Sequence, residues 1–186
     1  MSSDSARCLA AFRKNLVFAR EGHPMRISVI GGSTATDEHY EVARELGRQL
    51  AARGHEIVCG GRTGVMEAAC RGARENDGHT IGILASNNRN DANPYVDTTI
   101  VTGIGNARNA LVVLNGDAAI AVDGSTGTLS EIALALDYGR PVAGLDTHRV
   151  DSVSGIQHVD TPAEAIDHVE RACGVDTRQL DGQTDR

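Results

Sequence analysis

From residue 26 onward the chain alternates two kinds of segment: short runs rich in Ile and Val, and longer stretches whose apolar residues recur at helical spacing. A strand apolar at nearly every position is buried on both faces, and an intervening helix returns the chain for a parallel partner. The pattern predicts an α/β fold: a Rossmann-like, doubly wound parallel sheet with helices on both faces, in a single domain. Strands are expected at Arg26–Ile30, His55–Cys59, Thr80–Leu84, Thr98–Val101, Ala118–Val122 and Pro141–Leu145. Helices are expected at Asp37–Arg53, Val65–Glu75, Ala107–Leu114, Leu129–Tyr138 and from Pro162 to about Cys173. In the first helix Val42, Leu46 and Leu50 form one apolar stripe, and Gly54 supplies the stop. Before the last, Thr161-Pro162-Ala163-Glu164 has the form of a capping box with proline at N1. Ser86–Pro94 reads as a polar loop. The Rossmann-like domain so defined spans 25–175. An extension, 1–24, precedes it with a helical pattern over Ser5–Arg20, and a polar tail, 176–186, follows it.

Three strands, the first, second and fifth, end in glycine clusters. These are Gly31-Gly32-Ser33-Thr34, Gly60-Gly61-Arg62-Thr63-Gly64 and Gly124-Ser125-Thr126-Gly127-Thr128. Open parallel sheets bind ligands outside the carboxyl ends of their strands. Glycines let backbone N–H groups turn toward an anion, and a following helix adds its positive end. Gly32, Ser33, Gly61, Arg62, Thr63, Gly64, Gly124, Ser125, Thr126, Gly127 and Thr128 are therefore candidate phosphate-binding residues. A tight strand-to-helix turn explains any one cluster; three on one sheet edge favour binding. Gly103-Ile104-Gly105-Asn106-Ala107-Arg108 approaches a dinucleotide fingerprint but ends in arginine and does not open the first βα unit. Ile57-Val58-Cys59 lacks the following acid that would hold a ribose in such a site, which argues against a dehydrogenase.

Composition removes further classes. The net charge of −7 argues against a general nucleic-acid binder but leaves room for a small anion held by a local cradle. Lys14 is the sole lysine, so no P-loop lysine or Schiff-base lysine is available. The four cysteines, Cys8, Cys59, Cys70 and Cys173, form no CxxC pair and fit no zinc template. They read as free thiols, with Cys59 in a strand and Cys70 in a helix. No metal-ligand spacing appears among the histidines, and His39, His55 and His79 read as surface or strand-edge residues. No run of 18 apolar residues and no signal-type apolar region is present, which leads to the expectation of a cytoplasmic protein with no membrane partner.

Three charged residues near the loops have open roles. Arg108 sits at the start of a helix, against the dipole; a bound phosphate would compensate it, or it is a solvated surface residue. Glu131 either completes a capping box, Thr128-Leu129-Ser130-Glu131, or reaches a bound sugar from beside the phosphate loop. Asp123 places a negative charge just before that loop, where it contacts a ribose hydroxyl, helps to hold a cation or caps the turn.

Taken in order, Gly31-Gly32-Ser33, Gly60-Gly61-Arg62-Thr63-Gly64-Val65-Met66-Glu67, Ala107-Arg108-Asn109 and Gly124-Ser125-Thr126-Gly127-Thr128-Leu129-Ser130-Glu131 resemble the Lonely Guy (LOG) superfamily of Rossmann-like proteins. More narrowly, with Asn93-Pro94-Tyr95-Val96-Asp97 and Thr102-Gly103, the chain is similar to the branch that includes molybdenum cofactor carrier proteins. The resemblance covers about residues 26–146. It implies release of a free base from nucleoside 5′-monophosphates, with Arg108 and Glu131 as catalytic residues and Gly124, Gly127 and Thr128 in the phosphate loop. The chain departs from the enzyme motif at Asn109, which replaces a lysine, and at Asp123 and Ser125, which replace a proline and a glycine. The resemblance implies no resident cofactor, or, in the carrier reading, the molybdenum cofactor as cargo. It also implies a homodimer paired through helices beside the site. Three functions follow: a phosphoribohydrolase acting on a nucleotide-like ligand, a non-catalytic carrier, and, lowest, a nucleotide sensor.

Overall fold

The computed structural model describes residues 24–149 and 154–174. Seven strands form one parallel sheet: β1 (Arg26–Gly31), β2 (Glu56–Cys59), β3 (Thr80–Leu84), β4 (Thr98–Val101), β5 (Ala118–Val122), β6 (Val142–Leu145) and β7 (Ile156–Val159), in the order β4-β3-β2-β1-β5-β6-β7. The helices are α1 (Asp37–Ala52), α2 (Val65–Arg74), α3 (Asn109–Leu114), α4 (Thr126–Asp137) and α5 (Pro162–Ala172). The Rossmann-like fold expected from the alternating segments is therefore present.

Strand periodicity sorts the side chains between two cores. Ile27 and Val29 of β1, Ile57 and Cys59 of β2, and Ala118, Ile120 and Val122 of β5 pack beneath α1, α2 and α5. Ile30, Val58, Ile81, Ile83, Ala119 and Ala121 point the other way, toward Val112 and Val113 of α3 and Ile132 and Ala135 of α4. Ile27, Leu46, Leu50, Ile57 and Ile120 are all wholly buried. Each such side chain contributes about 1.5–3 kcal/mol relative to exposure. The helices α1 and α2 lie so close that a Cβ at Gly47 or Gly72 would strike backbone of the facing helix.

Several element ends shift by one residue from the sequence reading, and four differences bear on the fold. First, α4 begins at Thr126, three residues earlier than read, so Thr126, Gly127 and Thr128 form its first turn. Second, the segment read as one helix from Ala107 is a 3-10 turn, Gly105–Arg108, followed by a short α3. Third, β6 starts after Pro141, which has no N–H to give the ladder. Fourth, β7 is an additional edge strand. A 3-10 turn, Arg89–Asp91, lies inside the loop Ser86–Pro94. The capping box at Thr161 and Glu164 forms as read. The helical pattern at Ser5–Arg20 and the tail 176–186 lie outside the described residues.

His55 also departs from its reading. It is buried, not at the surface: Nδ1 accepts from the Met25 N–H at 3.2 Å, and Nε2 meets Glu170 at 2.8 Å. Arg53 reaches Glu170 and Asp167, both at 2.6 Å. This network ties α5 to the amino end of the sheet, away from the glycine loops.

Candidate functional site: a crevice at the strand-order switch

Strand order reverses between β1 and β5: the chain builds outward from β1 to β4, then returns to place β5 on the other side. In open parallel sheets the loops leaving such a switch point diverge, and the crevice at their carboxyl ends is where ligands bind. Gly32 and Ser33 line the β1 side. The β2 loop closes onto them: Gly32 O accepts from the Val65 N–H at 3.0 Å, and Ser33 O accepts from the Thr63 hydroxyl at 2.8 Å. Gly64, the N-cap of α2, stands at φ 67°, a conformation glycine adopts without strain. Asn93 holds the same loop from outside, taking Gly61 O with its N–H at 2.9 Å and Arg62 O with its side-chain amide at 2.8 Å.

On the other side, β5 leads through Asp123 and Gly124 into α4. Ser125 is the N-cap, but no side chain caps this helix. The first-turn N–H groups of a helix have no intrahelical acceptors, so this end has donors and a positive dipole to offer an anion. Ser33, Arg62, Thr63, Ser125 and Thr126 are exposed around the crevice. Gly32, Gly61 and Thr128 are buried, and Gly64, Gly124 and Gly127 are half-buried.

Arg108 and Glu131 lie deeper. Nη1 of Arg108 is 3.2 Å from Oε1 of Glu131 and 2.9 Å from Oδ1 of Asn109, and Nη2 approaches Gly60 O at 3.5 Å. Arg108 and Glu131 are each 6% exposed. The guanidinium fits because position 60 is glycine; a Cβ there would run into it. Burial pushes the Glu131 carboxyl up to about 7, with the Arg108 charge pulling the other way. Arg108 Nε is buried and has no hydrogen-bond partner.

This geometry corrects two readings. Arg108 is not a solvated surface arginine, and Glu131 compensates its charge. Glu131 is not an N-terminal cap, because α4 begins at Thr126 and places it in the second turn, facing Arg108. Asn109 is also buried, and its amide donates to the Ser130 hydroxyl at 3.3 Å, which ties α3 to α4. Cys59 and Cys70 are buried as free thiols, their sulfurs 3.5 Å apart. The roles of two residues escaped the sequence reading, which placed Gly60 in a glycine cluster and His39 at the surface or a strand edge. Gly60 makes room for Arg108, and His39 bridges the loops after β5 and β6; neither contact has a local sequence signal. Among the described residues, no group of three or more His, Cys, Asp or Glu is placed to hold a metal ion. None of the described helices is long and apolar enough to cross a membrane.

The seven-stranded Rossmann-like sheet, with its glycine loops at the switch point, is that of a LOG-type protein. The chain belongs to the SLOG cluster4 family, whose model matches residues 24–172. It is similar to the molybdenum cofactor binding protein of Rippkaea orientalis, with 38% identity, a TM-score of 0.76, and coverage of 81% of this chain and 98% of that one. The molybdenum cofactor carrier protein of Chlamydomonas reinhardtii is 34% identical, with a TM-score of 0.72 over 80% of this chain and 98% of that one. A probable cytokinin riboside 5′-monophosphate phosphoribohydrolase of Oryza sativa subsp. japonica is 30% identical over 120 residues, which are 62% of this chain and 53% of that protein.

Proposed function

We propose that the chain binds a phosphate-bearing, nucleotide-like ligand in the β1–β5 crevice and hydrolyses the N-glycosidic bond of a nucleoside 5′-monophosphate. The observation that carries this reading is the buried Arg108–Glu131 pair beside an uncapped helix N-terminus. The phosphate lies against Gly124–Thr128 and the β1 and β2 loops. As the C1′–N bond breaks, positive charge develops on the sugar and the electron pair goes to the base. The Glu131 carboxylate stabilises that charge and takes a proton from the water that attacks C1′, in the manner of carboxylates in glycoside hydrolysis. The hydroxyl of that water ends on C1′, and the proton taken up by Glu131 passes to the departing base, which leaves neutral and restores the carboxylate. A carboxyl near neutrality is matched to such transfer, which is typically worth about 10²–10⁴ in rate. Arg108 holds Glu131 in place and supplies a cation to the phosphate or leaving base.

The test is chromatography for free base after incubation with a panel of nucleoside 5′-monophosphates. Glu131→Gln is expected to abolish release while preserving binding. An unchanged rate in the variant would remove Glu131 from catalysis.

Asn109 favours a second reading, a carrier without catalysis. Its side chain is neutral and is spent on Ser130, where the enzyme motif supplies a lysine. Identity to two molybdenum cofactor binding proteins over nearly their whole length supports the same reading. A pterin released from purified protein, together with no base release from any nucleotide, would select the carrier.

We also infer a homodimer paired through the α3–α4 face. Leu114 and Leu129 on those helices are 45% and 36% exposed, and Ile104 nearby is 52% exposed. A monomer mass by light scattering would overturn the dimer.

A further inference from the structure

The loop after β6 has no part in the mechanism above, yet two of its side chains are spent on the loop after β5. Gly144, inside β6, leaves room for the Thr147 methyl, which a Cβ at 144 would strike. Asp146 follows β6 directly and stands at φ 45°, a left-handed conformation uncommon for a residue with a Cβ. Its carboxylate meets His39 Nε2 at 2.9 Å, and the chain turns back onto the β5 loop. There the Thr147 hydroxyl donates to Asp123 O at 2.6 Å. His148 Nε2 lies 3.0 Å from Ser125 O; a carbonyl only accepts, so this nitrogen carries the proton. Ser125 O also accepts from the Leu129 N–H at 3.0 Å, which engages both of its lone pairs.

These bonds fix more than two oxygens. The peptide bonds of the described residues are all trans, and a trans peptide points its C=O and its N–H in opposite directions. Within the sheet β5 lies between β1 and β6. Carbonyls of Asp123 and Ser125 drawn toward the β6 loop therefore leave the N–H groups of Gly124 and Thr126 turned to the β1 side, where the crevice lies. No described residue accepts from the Gly124 N–H. Glycine at 124, with φ 123°, lets the preceding peptide turn over, and the inverted peptide would present its oxygen to an anion. We infer that Thr147 and His148 are positioning residues of the anion site: they hold these two carbonyls away from the crevice, so that the Gly124 and Thr126 N–H groups face the phosphate. Both act through the backbone and not by touching the ligand. This role rests on the phosphate reading of the crevice and names what keeps that site in its binding conformation.

The experiment is calorimetric titration of the full chain with adenosine, guanosine, cytidine and uridine 5′-monophosphates and with the corresponding nucleosides. It compares the wild type with Thr147→Val and His148→Phe, which remove the donor, and with Thr147→Ser and His148→Gln, which keep one. Thr147→Val and His148→Phe should each weaken monophosphate binding by about tenfold, the scale of one hydrogen bond to a charged group, and leave nucleoside binding unchanged. A general structural defect would weaken both ligands alike. Thr147→Ser and His148→Gln should keep the wild-type ratio of the two affinities. An unchanged ratio in Thr147→Val or in His148→Phe removes that residue from the role, and an unchanged ratio in both overturns it while phosphate binding stands. Equal losses for nucleoside and monophosphate overturn it as well. A folded wild type that binds the monophosphates no better than the nucleosides overturns the phosphate reading and the positioning role together.

Discussion

Arg108 and Glu131, 23 positions apart, meet at 3.2 Å beneath the glycine loops, where the Arg108 charge only partly offsets the burial that raises the Glu131 carboxyl. Breaking a buried pair by removing one partner typically costs about 3–5 kcal/mol, because it leaves an uncompensated charge. The pair is therefore held by the fold around it, chiefly the opening at Gly60 and the α3–α4 contact.

Glu131 makes stability depend on pH. Its carboxyl is raised from 4.5 to about 7 in the folded protein, so the folded state binds the proton more tightly than the unfolded chain. Stability is then lost as pH rises from about 4.5 to about 7, by up to about 3 kcal/mol. Urea unfolding across that range should show the wild type falling relative to Glu131→Gln, which does not titrate there. Parallel curves would contradict the raised carboxyl.

Gly60→Ala should displace the Arg108 side chain, since the added methyl occupies the guanidinium's place. Overpacking of this kind costs about 1–3 kcal/mol. Ligand affinity or base release should fall with only a modest drop in melting temperature. A variant with full activity would show that Arg108 need not sit against Gly60.

Glu170 should matter for stability alone. Burial works to raise its carboxyl, but the His55 hydrogen bond and the Arg53 charge outweigh burial and hold it low. Its contribution is present above the ordinary carboxylate value and is lost as pH falls through the lowered one. Glu170→Ala should cost about 3 kcal/mol at neutral pH. The gap to wild type should narrow in acid, and nucleotide binding should be unchanged. A gap that stays constant down to acid pH would contradict the pairing.

The sheet was legible because its central strands are apolar at consecutive positions, as in Ala118–Val122. The edge strand β7 was not: Ile156-Gln157-His158-Val159 is only partly buried and sets two polar residues side by side, so it shows neither an apolar run nor strand alternation. The glycine loops were legible, but the start of α4 was hidden inside one of them. Gly124 and Gly127 read as turn residues, and that displaced Glu131 into an apparent cap. Long-range pairs left no local trace. His55 with Glu170 and His39 with Asp123 and Asp146 depend on which strands become neighbours, and only the strand order decides that.

The central claim is that the crevice between β1 and β5 reads phosphate. Its most direct test is equilibrium binding of a nucleoside 5′-monophosphate against the same nucleoside without phosphate, by calorimetry on the full chain. Saturable binding of the monophosphate is expected, with at least about tenfold weaker binding of the nucleoside, a difference of about 1.4 kcal/mol. Equal affinity for the two, or no binding of the monophosphate by folded protein, would contradict it.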